Sequence, residues 1–465
     1  MIGWRAPGGK VSLLDLQVEG DVKRRSDSEF ESWRSDVFNR RVPQRTPELI
    51  VRARTAQDVV EALRFARAKG IKVSVRGRGH NWFGASLRDG GMLIDLSALD
   101  EIAVDAARAS ASVQVGATGR DLMQRLERAG LAFPVGHCAD VPLSGYLLSG
   151  GFGWNSMVWG PACFHVTGID VVTAEGNLEF ADAEHHADLF WAARGAGPAF
   201  FGAIVRYHLN LMPLPRAIST STVVLPVGHF QEAAAWLGEL RPKLAAAVEV
   251  NLFAGAAPSS LAGLPGVPDR VCVVAATAFA DTPEEGRELL RPIATLPCAG
   301  QAIVRQWNVP TSFDGLFAAM SDFFPERHRY AADTVWTNHP LAEITDSLSS
   351  LCETAPARSG VLCVPLPPPP ADAPPPPDVA FSMGAAVFVA SYAVWKDSKD
   401  DAACEAWHQQ TVEALAPLAV GHYVGEANIG GNAKRAARCF SPEAWERLQS
   451  VHAKYDPTGV FPPPF

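Results

Sequence analysis

Apolar and polar positions over residues 43–215 follow two different periods, one typical of helices and one typical of strands. Thr55 and the apolar positions after it predict a helix that continues to Lys69 and ends at Gly70. The next residues, Ile71-Lys-Val-Ser-Val75, alternate apolar with polar side chains, as a half-buried strand does. Short strands and helices separated by many glycines predict an α+β domain.

The same patterns predict further elements in this part of the chain. Strands are predicted at 92–96 and 112–115, and a helix opens at Thr118 and closes at Gly130. A hairpin is predicted over 171–180, with its turn at Glu175-Gly176-Asn177.

The pattern changes after Pro213-Leu-Pro215. Strands at 248–253 and 271–280 and helices at 227–244 and 283–294 predict an open antiparallel sheet, covered by helices on one side, over a cleft. Residues 365–377 are rich in proline and predict a surface loop of polyproline character. A helix is predicted at 442–454, and the apolar residues after it predict a tail tied back onto a domain.

These patterns divide the chain into three parts. Residues 1–215 are predicted to form the first domain and residues 216–420 a second, substrate-binding domain. Residues 421–465 are predicted to be a C-terminal segment that returns to the first domain.

Composition narrows the class of protein. The chain has 465 residues, of which 48% are apolar and 20% charged, enough to bury a large core. The net charge is −9 with no basic stripe, which disfavours a nucleic-acid or anionic-membrane partner. No apolar run is long enough for a membrane span. Without a recognisable secretory signal, the cytoplasm is the expected location.

The eight cysteines are scattered and form no CxxC pair. This spacing argues against a structural zinc site and a thioredoxin-like motif, so no metal site is predicted. An even number of cysteines also fits disulfides, but reduced, mostly buried thiols suit an intracellular protein better.

The stretch Arg76-Gly-Arg-Gly-His-Asn-Trp-Phe-Gly84 follows a predicted strand directly. Its first glycines allow the backbone to approach a phosphate, and Arg76 and Arg78 could add charge-assisted contacts to a pyrophosphate. A tight turn with a surface histidine is the alternative.

Two further glycine clusters follow, Gly136-His-Cys-Ala-Asp-Val-Pro-Leu-Ser-Gly145 with its continuation to Trp154, and the stretch 194–202. Their glycine spacing indicates backbone pressed against something flat or phosphorylated. Neither the first cluster nor the second is the GxGxxG fingerprint of a Rossmann dinucleotide site.

With these clusters the chain resembles the flavoproteins of the vanillyl-alcohol oxidase and p-cresol methylhydroxylase (PCMH) type, in their berberine-bridge-enzyme-like branch. The resemblance implies a PCMH-type domain that binds FAD. It implies that His80 is bonded to the flavin 8α-methyl group and Cys138 to flavin C6. The cofactor-binding residues it implies are Arg76, Gly77, Arg78, Gly79, His80, Asn81, Gly84, Gly136, Cys138, Val141, Gly145, Leu148, Gly150, Gly151, Gly153, Trp154, Gly202 and Tyr423.

The chemistry of the two bonds explains these residue types. A neutral imidazole is a suitable nucleophile for the 8α carbon. A thiolate is the reactive form of cysteine, and nearby amides and positive charge are expected to favour it at Cys138. A buried, inert thiol is the alternative for Cys138.

The catalytic residue is less constrained. The segment Gly421-His-Tyr-Val-Gly-Glu-Ala-Asn428 resembles a late strand of the family, which makes Tyr423 one candidate base and Glu426 its rival. The family's usual YxN reads Tyr423-Val-Gly425, and Trp159 replaces a common tyrosine. A core or surface role for Tyr423 and Glu426 stays open.

The function that the resemblance implies is oxidation of an alcohol, sugar or similar CH–OH group by hydride transfer to covalent FAD, with oxygen or another compound as acceptor. Oxidation of a C–N bond or oxidative ring closure is one alternative, and a flavin-binding protein without turnover is another. A small-molecule substrate is expected, and the sequence does not define an oligomeric state. The aromatic residues Trp307, Trp336, Tyr330 and Tyr392 fit either a substrate pocket or core.

Overall fold

Three larger sheets and two short two-stranded pairs account for the strands of the described chain. The computed structural model describes residues 5–6, 9–10, 15–263, 265–356, 358–369 and 375–463. The short pairs join Arg5–Ala6 to Gly9–Lys10 and Leu131–Ala132 to Met212–Pro213.

The first sheet has four strands, in the order Asp21–Arg24, Leu49–Arg52, Met92–Asp95 and Val73–Arg76. Its last three strands run parallel, so crossover connections must join them. Helix Ala56–Lys69 forms the connection between Leu49–Arg52 and Val73–Arg76, and its predicted ends are confirmed. Thr55 and Asp58 cap each other at its start, and Gly70 ends it with φ 64°.

The second sheet has five antiparallel strands, in the order Leu178–Ala181, Val166–Val172, Ala203–Asn210, Ser110–Gln114 and Ile102–Asp105. The predicted hairpin is confirmed, since Val172 pairs with Leu178 across the predicted turn. The two sheets and their helices share one large apolar core.

The third sheet has seven strands, and all neighbours are antiparallel. Their order is Val304–Thr311, Ala217–Pro226, Arg270–Ala280, Val248–Ala256, Gly360–Pro365, Val387–Trp395 and Arg329–Thr337. The predicted α+β class, with a second domain built on an antiparallel sheet, is confirmed.

Strand alternation decides which side chains of the third sheet reach the helices and which reach the opposite face. In Val387–Trp395, the residues Val387, Val389 and Trp395 join the core beneath the helices. Phe388 and Tyr392 project to the other face, because successive side chains of a strand point to opposite sides. That second face closes the cavity described below.

Most of the described helices are only one to three turns long. Their bounds are Phe30–Arg34, Ala56–Lys69, Gly119–Glu127, Leu143–Leu148, Ser156–Trp159, Ala187–Ala193, Phe230–Leu240, Pro283–Leu290, Phe313–Phe323, Leu341–Asp346, Ser349–Glu353, Asp401–Leu415, Ala433–Ala437 and Pro442–Tyr455. None of those described is both long and apolar enough to cross a membrane.

Two predicted helices are shorter than expected. The α-helix Phe230–Leu240 gives way to the 3₁₀ segment Arg241–Lys243, and Pro283–Leu290 gives way to Arg291–Thr295. Each 3₁₀ segment carries a proline near its start. Proline lacks the amide hydrogen and clashes with the preceding turn, so the α-helix ends there.

The C-terminal tail is hydrogen-bonded to the first sheet. The Val460 carbonyl accepts the Val73 N–H at 2.8 Å. The Asp456 carboxylate accepts the N–H groups of Val460 and Phe461, each at 2.7 Å. The domain boundaries at residues 215 and 420 stay predictions.

The proline-rich stretch 365–377 is described only in part. Pro368, Pro369 and residues 375–377 are exposed and belong to no helix or strand, which fits the predicted surface loop. Residues 370–374 lie outside the described residues.

Candidate active site

A cavity of about 410 Å³ lies between the glycine-rich loops of the first domain and the free face of the third sheet. We call its two sides the loop wall and the sheet wall. The loop wall is formed by residues 76–82 and by residues of 136–153. The sheet wall is formed by Glu249, Asn251, Phe253, Val273, Ala275, Leu362, Val364, Phe388, Tyr392 and Val394.

His80 lies in the loop wall, at the end of a turn that only glycine accommodates readily. Gly79 has φ 71°, and a side chain there would meet Val37 within 2.8 Å. The His80 ring stacks on Phe38 with its centroid 4.6 Å away. Burial, together with the Arg78 charge, lowers the pKa of His80 to about 4. The imidazole is therefore neutral at pH 7, the form that a nucleophile requires.

The side chains of the two arginines of this loop are engaged by protein groups. The Arg76 guanidinium is buried and binds Asp95 at 2.7 Å, so the predicted side-chain contact to a pyrophosphate is wrong for Arg76. Arg78 donates through Nε to the Gly116 carbonyl at 2.6 Å. Both residues line the cavity. The Asp95 carboxylate is fixed beside the Arg76 guanidinium, so this arginine is paired within the protein rather than with a ligand.

Arg88 is a cavity residue that the sequence did not single out. Its guanidinium donates to the carbonyls of Pro462 and Pro463, the latter at 2.9 Å. Its Nε atom is buried and has no hydrogen-bond partner among the described residues. Burial and the neighbouring Arg45 lower its pKa to about 10, so Arg88 stays charged at pH 7. No glycine pattern marks this position in the sequence.

Most of the predicted residues of the second glycine cluster line the cavity, namely Gly136, Cys138, Val141, Gly145, Leu148 and Gly153. Gly145 is exposed, and a Cβ atom there would meet no atom within 4 Å. At Gly145 the helix Leu143–Leu148 therefore offers bare backbone to whatever the cavity holds. Asn81, Gly77, Gly79 and Gly202 also line the cavity.

Four predicted glycine and tryptophan positions support the loop wall from behind and do not line the cavity. Gly150 packs on Phe381, and Gly151 lies against Ala162 and the Tyr146 ring. Gly84 packs on Pro43, and Trp154 is buried beside His137, with ring centroids 4.3 Å apart. Trp159, half-buried against the first core, is also outside the cavity lining.

The electrostatic surroundings of Cys138 differ from the expectation. Burial raises the pKa of its thiol to about 12, and the carboxylates of Glu426 and Asp140 raise it further in the same direction. These surroundings disfavour the thiolate in the cofactor-free chain, and the bond of Cys138 to flavin stays a prediction.

Tyr423 lies on a turn, which corrects the predicted late strand. Only Gly421 makes a strand-like bridge, to Trp336, and the N–H groups of Glu426 and Ala427 both donate to the Tyr423 carbonyl. The Tyr423 hydroxyl accepts the Phe152 N–H at 3.3 Å. A side chain at position 425 would lie 2.8 Å from the Tyr423 ring, so this turn requires Gly425 where the family pattern has asparagine.

Glu426 faces the cavity and is the better candidate base. Its carboxylate accepts the Tyr392 hydroxyl at 2.6 Å and a hydrogen bond from Trp82. Burial raises its pKa above the usual range, although Tyr392, His137 and Trp82 oppose this change. Burial raises the pKa of Tyr423 as well, which makes that phenol a weaker candidate at neutral pH.

The aromatic residues that the sequence singled out separate into three places. Tyr392 lines the cavity. Tyr330 and Trp336 are buried in the apolar cluster behind it. Trp307 lies on the edge strand of the third sheet and is 38% exposed, so it belongs neither to the cavity nor to the core, the two places that the sequence left open.

One further pair joins the two walls. His137 Nε2 lies 2.7 Å from Glu249 Oε1, and Glu249 is only 4% exposed. The other oxygen of this carboxylate accepts the Asn155 N–H at 3.3 Å. This pairing could not be predicted from the sequence. His137 lies in a loop of the first domain, whereas Glu249 lies in a strand of the third sheet, 112 residues further along the chain.

The residues present fit FAD. The cavity combines exposed backbone at Gly145, a buried Arg88 Nε without a partner and a neutral His80 imidazole. Such a set of groups suits an extended ligand with both polar and aromatic parts. His80, Cys138 and Arg88 are the side chains that would hold it.

The comparisons with known proteins agree with this site. The profile of the family described as FAD binding domain matches residues 47–181. The chain is 32% identical over 428 residues to the FAD-linked oxidoreductase ptmO of Penicillium ochrochloron, covering 92% of each chain.

Two solved structures share the fold. 6-Hydroxy-D-nicotine oxidase from Arthrobacter nicotinovorans superposes with a TM-score of 0.81 at 23% identity, over 96% of this chain and 97% of that one. Berberine bridge enzyme from Eschscholzia californica superposes with a TM-score of 0.78 at 18% identity, over 96% of each chain.

The fold and the site together define an oxidoreductase with a PCMH-type FAD-binding domain. The chain belongs to the family of FAD-linked oxidoreductases, and it shares the fold of berberine bridge enzyme. The predicted resemblance is thereby confirmed.

Proposed function

We propose that this enzyme oxidises a CH–OH group of an apolar small molecule, using FAD attached covalently through His80 and Cys138. The observation that supports it most is the Glu426 carboxylate. It faces the cavity that His80 and Cys138 also line, and it is held by Tyr392 of the sheet wall. A base in this place can serve a substrate that lies along the sheet wall.

Each residue has a defined part in this proposal. FAD supplies the acceptor for the hydride that leaves the substrate carbon. Glu426 removes the hydroxyl proton, and Tyr392 holds the Glu426 carboxylate through its hydrogen bond. The apolar side chains Phe253, Leu362, Val364, Phe388 and Val394 exclude water and favour an apolar substrate over a sugar.

We also propose that dioxygen is the final electron acceptor and that the protein works in the cytoplasm. All eight cysteines are free thiols, and seven of them are buried, which suits a reducing compartment.

A second candidate reaction is oxidation of a C–N bond. Three carboxylate residues, Glu249, Asp322 and Glu426, line the cavity. The rings of Trp82, Phe324 and Tyr392 pack together beside Glu426. Carboxylates and aromatic faces attract an ammonium group, so an amine substrate fits these surroundings. In that case Glu426 would take the ammonium proton.

Anaerobic mixing tests both reactions. The purified holoenzyme is mixed, in the absence of oxygen, with matched alcohols and amines that share one apolar skeleton. The absorbance of oxidised flavin, at about 450 nm, is then followed. Bleaching by the alcohols supports the first proposal, and bleaching by the amines alone supports the second.

Glu426→Gln provides the test of the base, and Glu446→Gln, which changes an exposed glutamate, is the matched control. We expect bleaching to be slow in Glu426→Gln and normal in Glu446→Gln. If no compound of either class bleaches the flavin, a flavin-binding protein without turnover becomes the better account.

A further inference from the structure

Glu249 is an acidic side chain in a sheet wall whose other members are mostly apolar. Its own strand, Val248–Ala256, places Val248 and Val250 in the core beneath the helices and Glu249 on the cavity face. The carboxylate is nevertheless 4% exposed. Burying a carboxylate is costly unless it is paired, so its partners indicate what it does.

Both partners of Glu249 belong to the first domain, His137 in the loop wall and Asn155 just after it. His137 Nε2 lies 2.7 Å from one carboxylate oxygen, and the Asn155 N–H donates to the other at 3.3 Å. The His137 ring also packs on Trp154, with centroids 4.3 Å apart. His137 is therefore held from two sides, by a hydrogen bond from the second domain and by a ring of its own loop.

Cys138 follows His137 directly and depends on it for its place. On the C-terminal side, the loop is held within the first domain, where the Ala139 carbonyl accepts the Arg120 N–H at 3.1 Å and the Val141 carbonyl accepts the Gly119 N–H at 3.0 Å. On the N-terminal side, the Val135 carbonyl accepts the Trp154 N–H at 3.0 Å, and the bond to Glu249 fixes the His137 side chain that lies between this anchor and Cys138. The position of Cys138 Sγ in the cavity wall is set between these two attachments.

We propose that Glu249, acting through His137, is a positioning residue that holds Cys138 where it forms its covalent bond to flavin. This inference rests on the proposed attachment through Cys138. In that reaction the Sγ–C6 bond forms, and the thiol proton and the C6 hydrogen are lost. The two electrons and two protons reduce dioxygen to hydrogen peroxide, which balances the step.

The thiol itself gives a reason for such positioning. Burial and nearby carboxylates raise the pKa of Cys138 to about 12, so the reactive thiolate is a small fraction at neutral pH. A rarely ionised nucleophile reacts at a useful rate only if it is kept within reach of its target. Glu249 therefore acts by fixing the position of Cys138, and it does not favour ionisation of the thiol.

The test uses a His80→Ala background, in which Cys138 alone can retain flavin. His80→Ala, His80→Ala/Glu249→Ala and His80→Ala/Glu249→Gln are purified, precipitated with acid and compared by the flavin that stays with the protein and by intact mass. We expect covalent flavin in the first, a loss of about fivefold or more in the second, and near-complete retention in the third. Glutamine keeps an oxygen that accepts the same hydrogen bond from His137.

Cys138→Ala/Glu249→Ala is the matched control. It should retain as much flavin through His80 as Cys138→Ala does, because Glu249 acts on Cys138 and not on the fold. Equal loss in this control would show a general structural role and overturn the inference, as would unchanged covalent flavin in His80→Ala/Glu249→Ala. Absence of covalent flavin from His80→Ala alone would overturn both this inference and the Cys138 bond, while anaerobic bleaching would still report on the proposed oxidation.

Discussion

The two walls of the cavity are built on different principles. The loop wall offers backbone, glycine and a few reactive side chains, and its shape comes from turns such as that at Gly79. The sheet wall offers mostly apolar side chains, which alternate with core residues along regular strands. Glu426 comes from neither wall and reaches the cavity from the returning C-terminal segment.

The difference suggests a division of labour. A wall of backbone and turns has little room for substitution, which suits a constant ligand such as a cofactor. A wall of strand side chains can change residue by residue without moving the backbone, which suits a ligand that differs between relatives. Changes in the loop wall should therefore alter flavin content, and changes in the sheet wall should alter substrate use.

The largest effect is expected for His80→Ala/Cys138→Ala. Removing both nucleophiles of the loop wall should release all flavin on denaturation, whereas each single variant should keep one bond. Acid precipitation followed by mass measurement checks this, and His185→Ala, at an exposed histidine, is the control. Flavin that stays attached in the double variant would contradict the assignment of the loop wall.

Glu426→Gln is expected to lower kcat/KM by about 10²- to 10³-fold without changing flavin content, because it removes the base and no cofactor contact. In the unmodified enzyme, burial raises the pKa of Glu426. Activity should therefore fall on the acid side at a pH above the usual glutamate range, as the carboxyl becomes protonated. A pH profile of kcat/KM checks this, and an unchanged acid limb in the variant would assign it to another group.

Tyr392→Phe should have a smaller effect on the same limb. The Tyr392 hydroxyl stabilises the ionised carboxylate, so its removal should raise the pKa of Glu426 and move the acid limb to higher pH. Loss of one hydrogen bond to a charged group should lower kcat/KM by about tenfold at neutral pH. The limb moving to lower pH would contradict this arrangement.

Leu362→Ala tests the sheet wall with the smallest expected effect. Removing an apolar contact of about 1 kcal/mol should lower kcat/KM for an apolar substrate by about fivefold. Flavin content should not change. Steady-state kinetics and the flavin-to-protein ratio are measured together. A loss of flavin without a kinetic effect would show that the sheet wall binds the cofactor rather than the substrate, and would contradict the assignment.

The sequence predicted the loop wall better than the sheet wall, and the reason is physical. His80 and Cys138 each lie, with their glycines, in a short motif whose spacing is set by local backbone geometry. The pattern is therefore visible in residues that are close together in the sequence. Helix Ala56–Lys69 was predictable for the same reason, since Thr55 and Gly70 act within a few residues.

The failures involve partners distant in sequence. Arg76 follows the expected motif, but Asp95 of the neighbouring strand takes its guanidinium. Glu249 and Arg88 gain their roles only when separate parts of the chain meet. Alternation correctly predicted strands in the second domain, yet it could not show which face would meet the loops.

The attachment of residues 456–461 to the first sheet has a consequence for how the protein is made. Lys72 and Gly459, which are joined by a hydrogen bond, are 387 positions apart, and Phe461 and Pro462 line the cavity. During synthesis, the first domain emerges from the ribosome long before the segment that completes it. Contacts of such long range form slowly, so flavin loading is expected to follow translation of the second domain rather than accompany that of the first.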